Sequence, residues 1–301
     1  MENEQLCGIL NINKPADWTS FDVIAKLRGI LRIKRLGHAG TLDPMATGVL
    51  PVFVGKATKA CDIIPDRTKR YKAGFILGIS TDTEDITGTV LEKSEKSVTA
   101  DEVNAALQRL VGDIMQLPPM YSAVKVNGKK LYEYAREGKA VERTPRPVHI
   151  DSIELLRFDE RTREGVVAIE CGKGTYVRTI ISDMGKDLGT LAAMTSLERT
   201  YSGGCDIKDA LTLDDIAELA QDGRTAEHIT PLDRAFSEYD EIKLGQKAAA
   251  LYKNGVKLYL NQLTGRAVPD DRLYRVYGEG SQFLGIGRFE GERFRSFKNF
   301  F

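Results

Sequence analysis

Strand-like and helix-like stretches are intermixed along this chain and mostly joined by connections of hairpin length, which constrains its fold more than any other feature. Gly8 to Ile12 is a short apolar run with strand character. Thr19 and Asp22 make a capping-box start, after which Val23, Ile24, Leu27, Ile30 and Leu31 recur at helical spacing. VLPVFVG reads as a strand in which Pro51 predicts an edge position or a bulge. KRYKAGFILGI (69–79) and ITGTVL (86–91) read as strands joined across the acidic turn STDTED. Thr99 with Glu102 caps a helix over DEVNAALQRLVG, and Val126-Asn127-Gly128-Lys129 is a tight-turn signal ahead of KLYEYAREG, a helix that Gly138 closes. Strands follow around 147–158 and 165–172, and a glycine turn then opens the helical GKGTYVRTIISDMGKDLG. From about Tyr239 the texture changes to Gly-punctuated short strands such as YRVYGEG and QFLGIGRFEGERF. The pattern predicts an α+β protein with a small β-rich C-terminal domain.

Charge adds a partner class. The chain is formally neutral, with 43 bases and 43 acids, but the two signs are segregated. Residues 206–241 hold eleven acids and three bases, so the rest of the chain carries the balancing positive excess. It concentrates in KLRGILRIKR, with five bases and no acid, and in Lys125 to Arg146, with seven bases and three acids. Such patches suit either a polyanion-binding face or solvated helix faces. No apolar run reaches the roughly 18 residues of a membrane helix, and MENEQLCGIL has acids where a secretion signal needs bases. Cys7, Cys61, Cys171 and Cys205 are scattered without a Cys-x-x-Cys, which predicts a reduced, cytoplasmic protein rather than a disulfide or zinc framework.

Several motifs fail on spacing. GKGT at 172–175 lacks the upstream glycine of a phosphate-binding loop, since position 167 is Val. Gly291 comes one residue too late after Gly285-Ile-Gly287 for a dinucleotide fingerprint, and Gly88 in DTEDITG sits at the seventh rather than the sixth place of a calcium loop. His38, His149 and His228 are too dispersed for a metal site. No nucleotide, metal or organic cofactor is implied.

GHAGTLDPMATG (37–48) is different. Asp43 is the one carboxylate between Asp22 and Asp62, an interval with seven Lys and Arg. Pro44 biases Asp43 toward extended backbone, and the glycines allow a tight loop between a basic helix and a buried strand. Spacing alone leaves three uses open for such a carboxylate: nucleophile, base, or the acceptor of an Asx-turn or cap.

The whole string GHAGTLDPMATGVLPVFVG closely resembles the signature loop of the TruB-type pseudouridine synthases. In the same order, KPADWTS, KRYKAGFILG, PPMYSAVKVNGKKLYEYAREG, CGKGTYVRTIISDMGKDLG and LERTYSGG resemble the family's other blocks, so the likeness runs from about Gly8 to Asp233. Asp17 stands where the family usually has Gly, and a left-handed turn is expected to be kept there. The resemblance implies a pseudouridine synthase fold over residues 1–238, a mixed, mainly antiparallel sheet flanked by helices. Residues 239–301 resemble a PUA-like RNA-binding module only loosely, through YKNG and the Gly-spaced strands. The implied activity is isomerisation of the T-loop uridine of tRNA (position 55), with the tRNA T-arm as partner, no cofactor, no obligatory protein partner and a monomeric enzyme. By the same resemblance Asp43 is the nucleophile at C1′ or C6, and Arg178 is the active-site guanidinium that favours its ionised form. Tyr71 stacks on the flipped base and helps remove the C5 proton, Tyr176 and Leu197 line the base pocket, His38 lies beside the extruded nucleotides, and Lys14 packs near the loop. Rival readings are a guide-RNA-dependent synthase of the dyskerin type and a non-catalytic RNA-binding or RNA-folding protein. Ala46-Thr47-Gly48 and the short, basic-poor termini favour a stand-alone enzyme, and the presence of Asp43, Tyr71 and Arg178 together argues against lost activity.

Overall fold

The computed structural model describes residues 6–265 and 268–301; Glu2 and Glu4, which bear on the secretion-signal expectation, lie outside the described residues. The strands of the first sheet and its hairpins are β1 (Gly8–Lys14), β2 (Leu36–His38), β3 (Thr47–Val54), β4 (Lys69–Leu77), β5 (Ile79–Thr81), β6 (Val90–Lys93) and β7 (Gly112–Gln116). After them come β8 (Lys125–Val126), β9 (Lys129–Lys130), β10 (Arg146–Asp159), β11 (Glu164–Cys171), β12 (Ala192–Ser202) and β13 (Cys205–Asp206). The last five are β14 (Glu241–Lys243), β15 (Leu258–Tyr259), β16 (Leu273–Tyr277), β17 (Phe283–Glu290) and β18 (Arg293–Asn299). The α-helices are α1 (Ser20–Leu31), α2 (Ala100–Gln108), α3 (Leu131–Arg136), α4 (Val177–Leu188), α5 (Leu213–Gln221) and α6 (Gln246–Lys253). None is long and apolar enough to cross a membrane.

A nine-stranded sheet runs β1-β3-β12-β4-β11-β10-β7, with β2 added to β3 and β13 to β12. Its ladders are antiparallel except for the short β3–β12 contact. The sheet is therefore mixed and mainly antiparallel, and its helices cover it by burying the faces that their periodicity marks. Val23, Ile24, Leu27 and Leu31 of α1 pack with Leu213 and Ile216 of α5 against Leu10 and Ile12 of β1. On the other half, α2 and α4 pack over β4, β10, β11 and β12 around Phe75, Ile150, Ile180 and Met194. A second sheet, β14-β16-β17-β18-β15, has its own core with Tyr252 of α6, Tyr274, Leu284 and Phe294. A further apolar cluster joins Phe53 and Phe236 to Ile286 and Phe300, so the two sheets are packed together rather than strung on a linker.

The capping boxes at Thr19, Thr99 and Thr212 all form, and Asn127 and Gly128 take the positive φ of a tight hairpin turn. Asp17 is left-handed at φ 63°. Two expectations need correction. Pro51 lies neither at a sheet edge nor in a bulge: β3 pairs along its length with β1 in unbroken register. It is tolerated because β2 pairs with β3 only from Val52 on, and the β12 contact involves only Thr47 and Gly48. Pro51 therefore faces a stretch where no strand asks for its missing N–H, and its carbonyl accepts from Ala39 N–H at 3.2 Å. The strand read over 86–91 begins only at Val90, because the preceding segment is tied into a turn by Asp85, whose Oδ1 accepts from Thr87 N–H at 2.9 Å. Strand β12, central to the sheet, carries no strand signature in the sequence pattern.

Candidate active site

The loop around Asp43 is anchored on both sides of that residue. Before it, Leu42 is buried, and its N–H donates to the Ser20 hydroxyl of α1 at 2.9 Å. After it, the Pro44 carbonyl accepts from Asp17 N–H at 2.9 Å and from the Lys14 ammonium at 3.0 Å. Ala46 N–H closes the turn onto the Asp43 carbonyl at 3.0 Å. Lys14, fully buried at the end of β1, also donates to the carbonyls of Pro15 at 2.8 Å and Trp18 at 2.6 Å. It is a backbone staple, and burial pushes its pKa down to about 8 despite the opposing pull of Asp17 and Asp43.

Arg178 arrives from the first turn of α4. Gln116 of β7 fixes that turn by accepting from Tyr176 N–H at 2.8 Å and donating to the Tyr176 carbonyl at 3.0 Å. The guanidinium meets Asp43 in a bidentate pair, Nε to Oδ2 at 2.9 Å and Nη2 to Oδ1 at 3.1 Å. Its other donors go to the carbonyls of Thr83 and Tyr121, each at 2.9 Å, and Asp85 Oδ2 stands 3.8 Å from Nε. The two partners differ in exposure: the Arg178 side chain is 4% exposed and that of Asp43 is 35%. A held, hydrogen-bonded cation thus presents an accessible carboxylate, the arrangement in which a charge-assisted pair fixes geometry most tightly.

Strands β4 and β12 supply the wall. Tyr71 is paired across the ladder with Arg199, and Ala73 with Leu197. Tyr71, Leu197, Leu42 and Val177 belong to one packed apolar cluster. Burial pushes the Tyr71 hydroxyl above the ordinary tyrosine range, with Arg199 pulling the other way. Tyr176, the residue that precedes α4, is raised by burial as well, and the charge of Asp43 reaches both hydroxyls. His38 sits on β2 with a buried Nδ1 that has no partner among the described residues, and its pKa is lowered by burial and then by Arg199. Of the other six residues singled out in the sequence, Lys14 and Arg178 bond to the Asp43 loop, Tyr71 and Leu197 pack in one cluster with its Leu42 and Ala46, Tyr176 leads into Arg178, and His38 lies on β2.

The sequence reading passed over Arg199, Gln116, Ser20 and Asp85. Arg199 is wholly buried, donating from Nε to the Val49 carbonyl at 2.7 Å and from Nη2 to the Gly40 carbonyl at 2.9 Å. It bridges the stretch of β3 that has β1 on one side and no strand on the other. The available signal was its phase: in LERTYSGG it shares the inward face with Leu197, two residues away. Among the described residues no cluster of His, Cys, Asp and Glu is arranged to hold a metal ion.

The model described as TruB family pseudouridylate synthase (N terminal domain) matches residues 28–177, and that described as tRNA pseudouridylate synthase B C-terminal domain matches 178–237. The chain belongs to the TruB family of pseudouridylate synthases. Relatives named tRNA pseudouridine synthase B include one from Lactococcus lactis subsp. cremoris, 40% identical over 99% of this chain and 92% of its own. Another, from Staphylococcus saprophyticus subsp. saprophyticus, is 44% identical over 93% of each chain. A third, from Clostridium novyi, is 42% identical over 93% of this chain and 94% of its own. Among solved structures, one chain of a Cbf5-Nop10-Gar1 complex superposes with a TM-score of 0.75 at 24% identity, covering 100% of this chain and 86% of that one. A chain from an H/ACA RNP bound to a substrate RNA containing 2'-deoxyuridine gives 0.73 at 22%, covering 98% and 85%. At those identities the likeness concerns the fold. The seam between the two TruB segments falls immediately before Arg178, so the Asp43–Arg178 pair joins one segment to the other.

Proposed function

We propose that this TruB-family enzyme isomerises the T-loop uridine of tRNA at position 55 to pseudouridine, with Asp43 as nucleophile on a flipped-out base. The observation that carries the reading is the bidentate Asp43–Arg178 pair, in which the buried partner is the cation and the accessible one is the carboxylate. An ionised carboxylate can add to an electron-poor carbon, C1′ of the ribose or C6 of the base, and leave again, while the C1′–N1 bond breaks, the base turns and C5 joins C1′, the C5 proton leaving as N1 gains one. Tyr71 offers an aromatic face to the base and a hydroxyl for the C5 proton, Tyr176 and Leu197 line the pocket, His38 lies beside the extruded nucleotides, and Lys14 holds the loop. A uridine within a folded loop must be extruded to be reached. The isomerisation is redox-neutral and internal to one nucleotide, so the reading calls for no cofactor.

Lys26, Arg28, Arg32, Lys34 and Arg35 are all exposed in and just after α1, a face suited to RNA phosphates. Around the β8–β9 hairpin, Lys129 lies over the Tyr134 ring, and Lys130 and Arg136 lie against Tyr132, giving a second basic and aromatic patch. Residues 1–238 then form the catalytic domain and 239–301 a PUA-like RNA-binding domain, in a monomer that acts in the cytoplasm without guide RNA or obligatory protein partner. The name shared by the relatives favours this stand-alone tRNA reading over the guide-dependent one.

The test is an unmodified tRNA transcript incubated with the protein and mapped for pseudouridine by carbodiimide labelling and primer extension. Wild type is expected to mark the T-loop uridine, and Asp43→Asn to leave it unmarked at equal RNA binding. Equal product from both proteins would sink the nucleophile assignment, and product formed only with added guide RNA would favour the rival.

A further inference from the structure

A fully buried guanidinium normally faces a carboxylate, because an uncompensated buried charge costs several kcal/mol. Arg199 faces none. Its two hydrogen bonds go to backbone carbonyls, and its remaining nitrogen, Nη1, is buried without a partner among the described residues. A second cation stands close by. Lys69, the first residue of β4, is half-buried, and its ammonium makes no hydrogen bond or ion pair among the described residues.

The two converge on Gly40. A side-chain carbon built on that glycine would lie 3.1 Å from Arg199 Nη1, 3.5 Å from Lys69 Cε and 3.6 Å from Lys69 Nζ. The missing side chain therefore leaves a small space walled by two cations. Burial lowers the pKa of Lys69, then Arg199 and Lys173 lower it further, and no carboxylate appears among the opposing influences. Asp43, the nearby loop carboxylate, is already engaged by Arg178. The protein thus holds positive charge here at a cost, with the Tyr71 hydroxyl and the Cys171 thiol nearby but no carboxylate paired to it among the described residues.

Placement identifies what would balance it. Lys69 and Tyr71 are two residues apart on one strand, so their side chains leave the same face roughly 7 Å apart, about the reach of one nucleotide. We propose that Lys69, backed by Arg199 and given room by Gly40, forms an anion subsite that takes one backbone phosphate of the RNA next to the target nucleotide. This rests on the RNA-modifying function above. Lys69 supplies the ammonium that contacts the phosphate, while the enclosed Arg199 contributes its charge from behind and holds the Gly40 carbonyl that shapes the space.

The experiment uses a synthetic T-arm hairpin RNA, with binding measured across a salt series for wild type, Lys69→Met and Lys69→Arg. Lys69→Met is expected to weaken binding about tenfold and to lower the slope of log affinity against log salt by about one. The saturating single-turnover rate should fall by less than the affinity, and Lys69→Arg should recover most of the binding. Because Met keeps the apolar stem and removes a desolvated charge, the melting temperature of Lys69→Met should equal or exceed that of wild type. Hairpins carrying single neutral methylphosphonate linkages then locate the phosphate: one linkage beside the target uridine should weaken wild type and leave Lys69→Met unaffected. Wild-type affinity and salt slope in Lys69→Met, or equal losses in both proteins at every linkage, would overturn the subsite. A loss of saturating rate at unchanged affinity would also overturn it, since Lys69 would then act in the chemistry. If wild type binds no hairpin at all, the RNA reading fails first and takes the subsite with it.

Discussion

Lys14 holds the carbonyl of Pro44, at 3.0 Å, and so grips the residue that follows Asp43 without touching its carboxylate. With two more carbonyls on the same ammonium, the end of β1, the left-handed turn at Asp17 and the Asp43 loop become one rigid piece. The chain uses a buried charge as a joint, and this and two other features of the fold can be measured.

The first concerns pH. Lys14 falls from 10.5 in the unfolded chain to about 8 in the fold, because burial disfavours its charged form. Between those values the unfolded chain binds the extra proton, so stability rises with pH across the window. The contribution of Lys14 is therefore fully present above the unfolded value and lost as pH falls through about 8. Denaturant unfolding of wild type and Lys14→Met should show wild type gaining on the variant between about pH 7.5 and about pH 10. A gap between the two that stays constant with pH would contradict the buried-cation assignment.

Gln116 is the second. Replacing it by Ala frees the N–H of Tyr176 and leaves its carbonyl with only the helical bond from Ile180 N–H, just ahead of Arg178. Two part-buried hydrogen bonds at about 1 kcal/mol each set the expected loss of stability at roughly 2 kcal/mol. Because the turn that loosens carries the partner of Asp43, the saturating rate on RNA should fall more than the affinity does. Urea unfolding and single-turnover kinetics on the same preparation separate the two effects, and a variant weakened only in binding would argue against the clamp.

The third contrasts two glycines. Gly48 has φ 96°, and a side-chain carbon there would stand 2.2 Å from the Arg199 carbonyl, where β3 meets β12. Gly48→Ala should therefore cost more than about 4 kcal/mol, enough to remove the folded protein from a soluble preparation. Gly29 lies on the exposed side of α1 with nothing within 4 Å of the added carbon. Gly29→Ala should raise stability by about 0.4–1 kcal/mol. A melting-temperature comparison reads both, and a tolerated Gly48→Ala would mean that the β3–β12 contact is looser than the structure has it.

What the sequence displayed and what it hid divide along a physical line. Local signals were legible: the capping boxes at Thr19, Thr99 and Thr212, the Asn127-Gly128 turn, and the α+β class with its change of texture near Tyr239 all depend on residues close in the chain. Strand β12 was not, because AAMTSLERTYS is continuously apolar at one end and polar at the other, and only its neighbours β3 and β4 make it a strand. Pro51 misled for a related reason: whether a missing N–H matters depends on what lies opposite, which pattern alone does not reveal. At the site, the resemblance pointed to Asp43, Tyr71 and Arg178. Arg199 escaped notice because its partners are backbone carbonyls 150 and 159 residues away, and a carbonyl leaves no mark on residue type.

Those separations order events during synthesis. Asp43 leaves the ribosome long before Arg178, which follows it by 135 residues, and Arg199 comes later still. Through those 135 residues of synthesis the loop exists without the guanidinium that holds its carboxylate. An incomplete chain would carry Asp43 yet lack the guanidinium that holds its carboxylate. The pair waits for α4, and the loop's second guanidinium, Arg199, waits for β12.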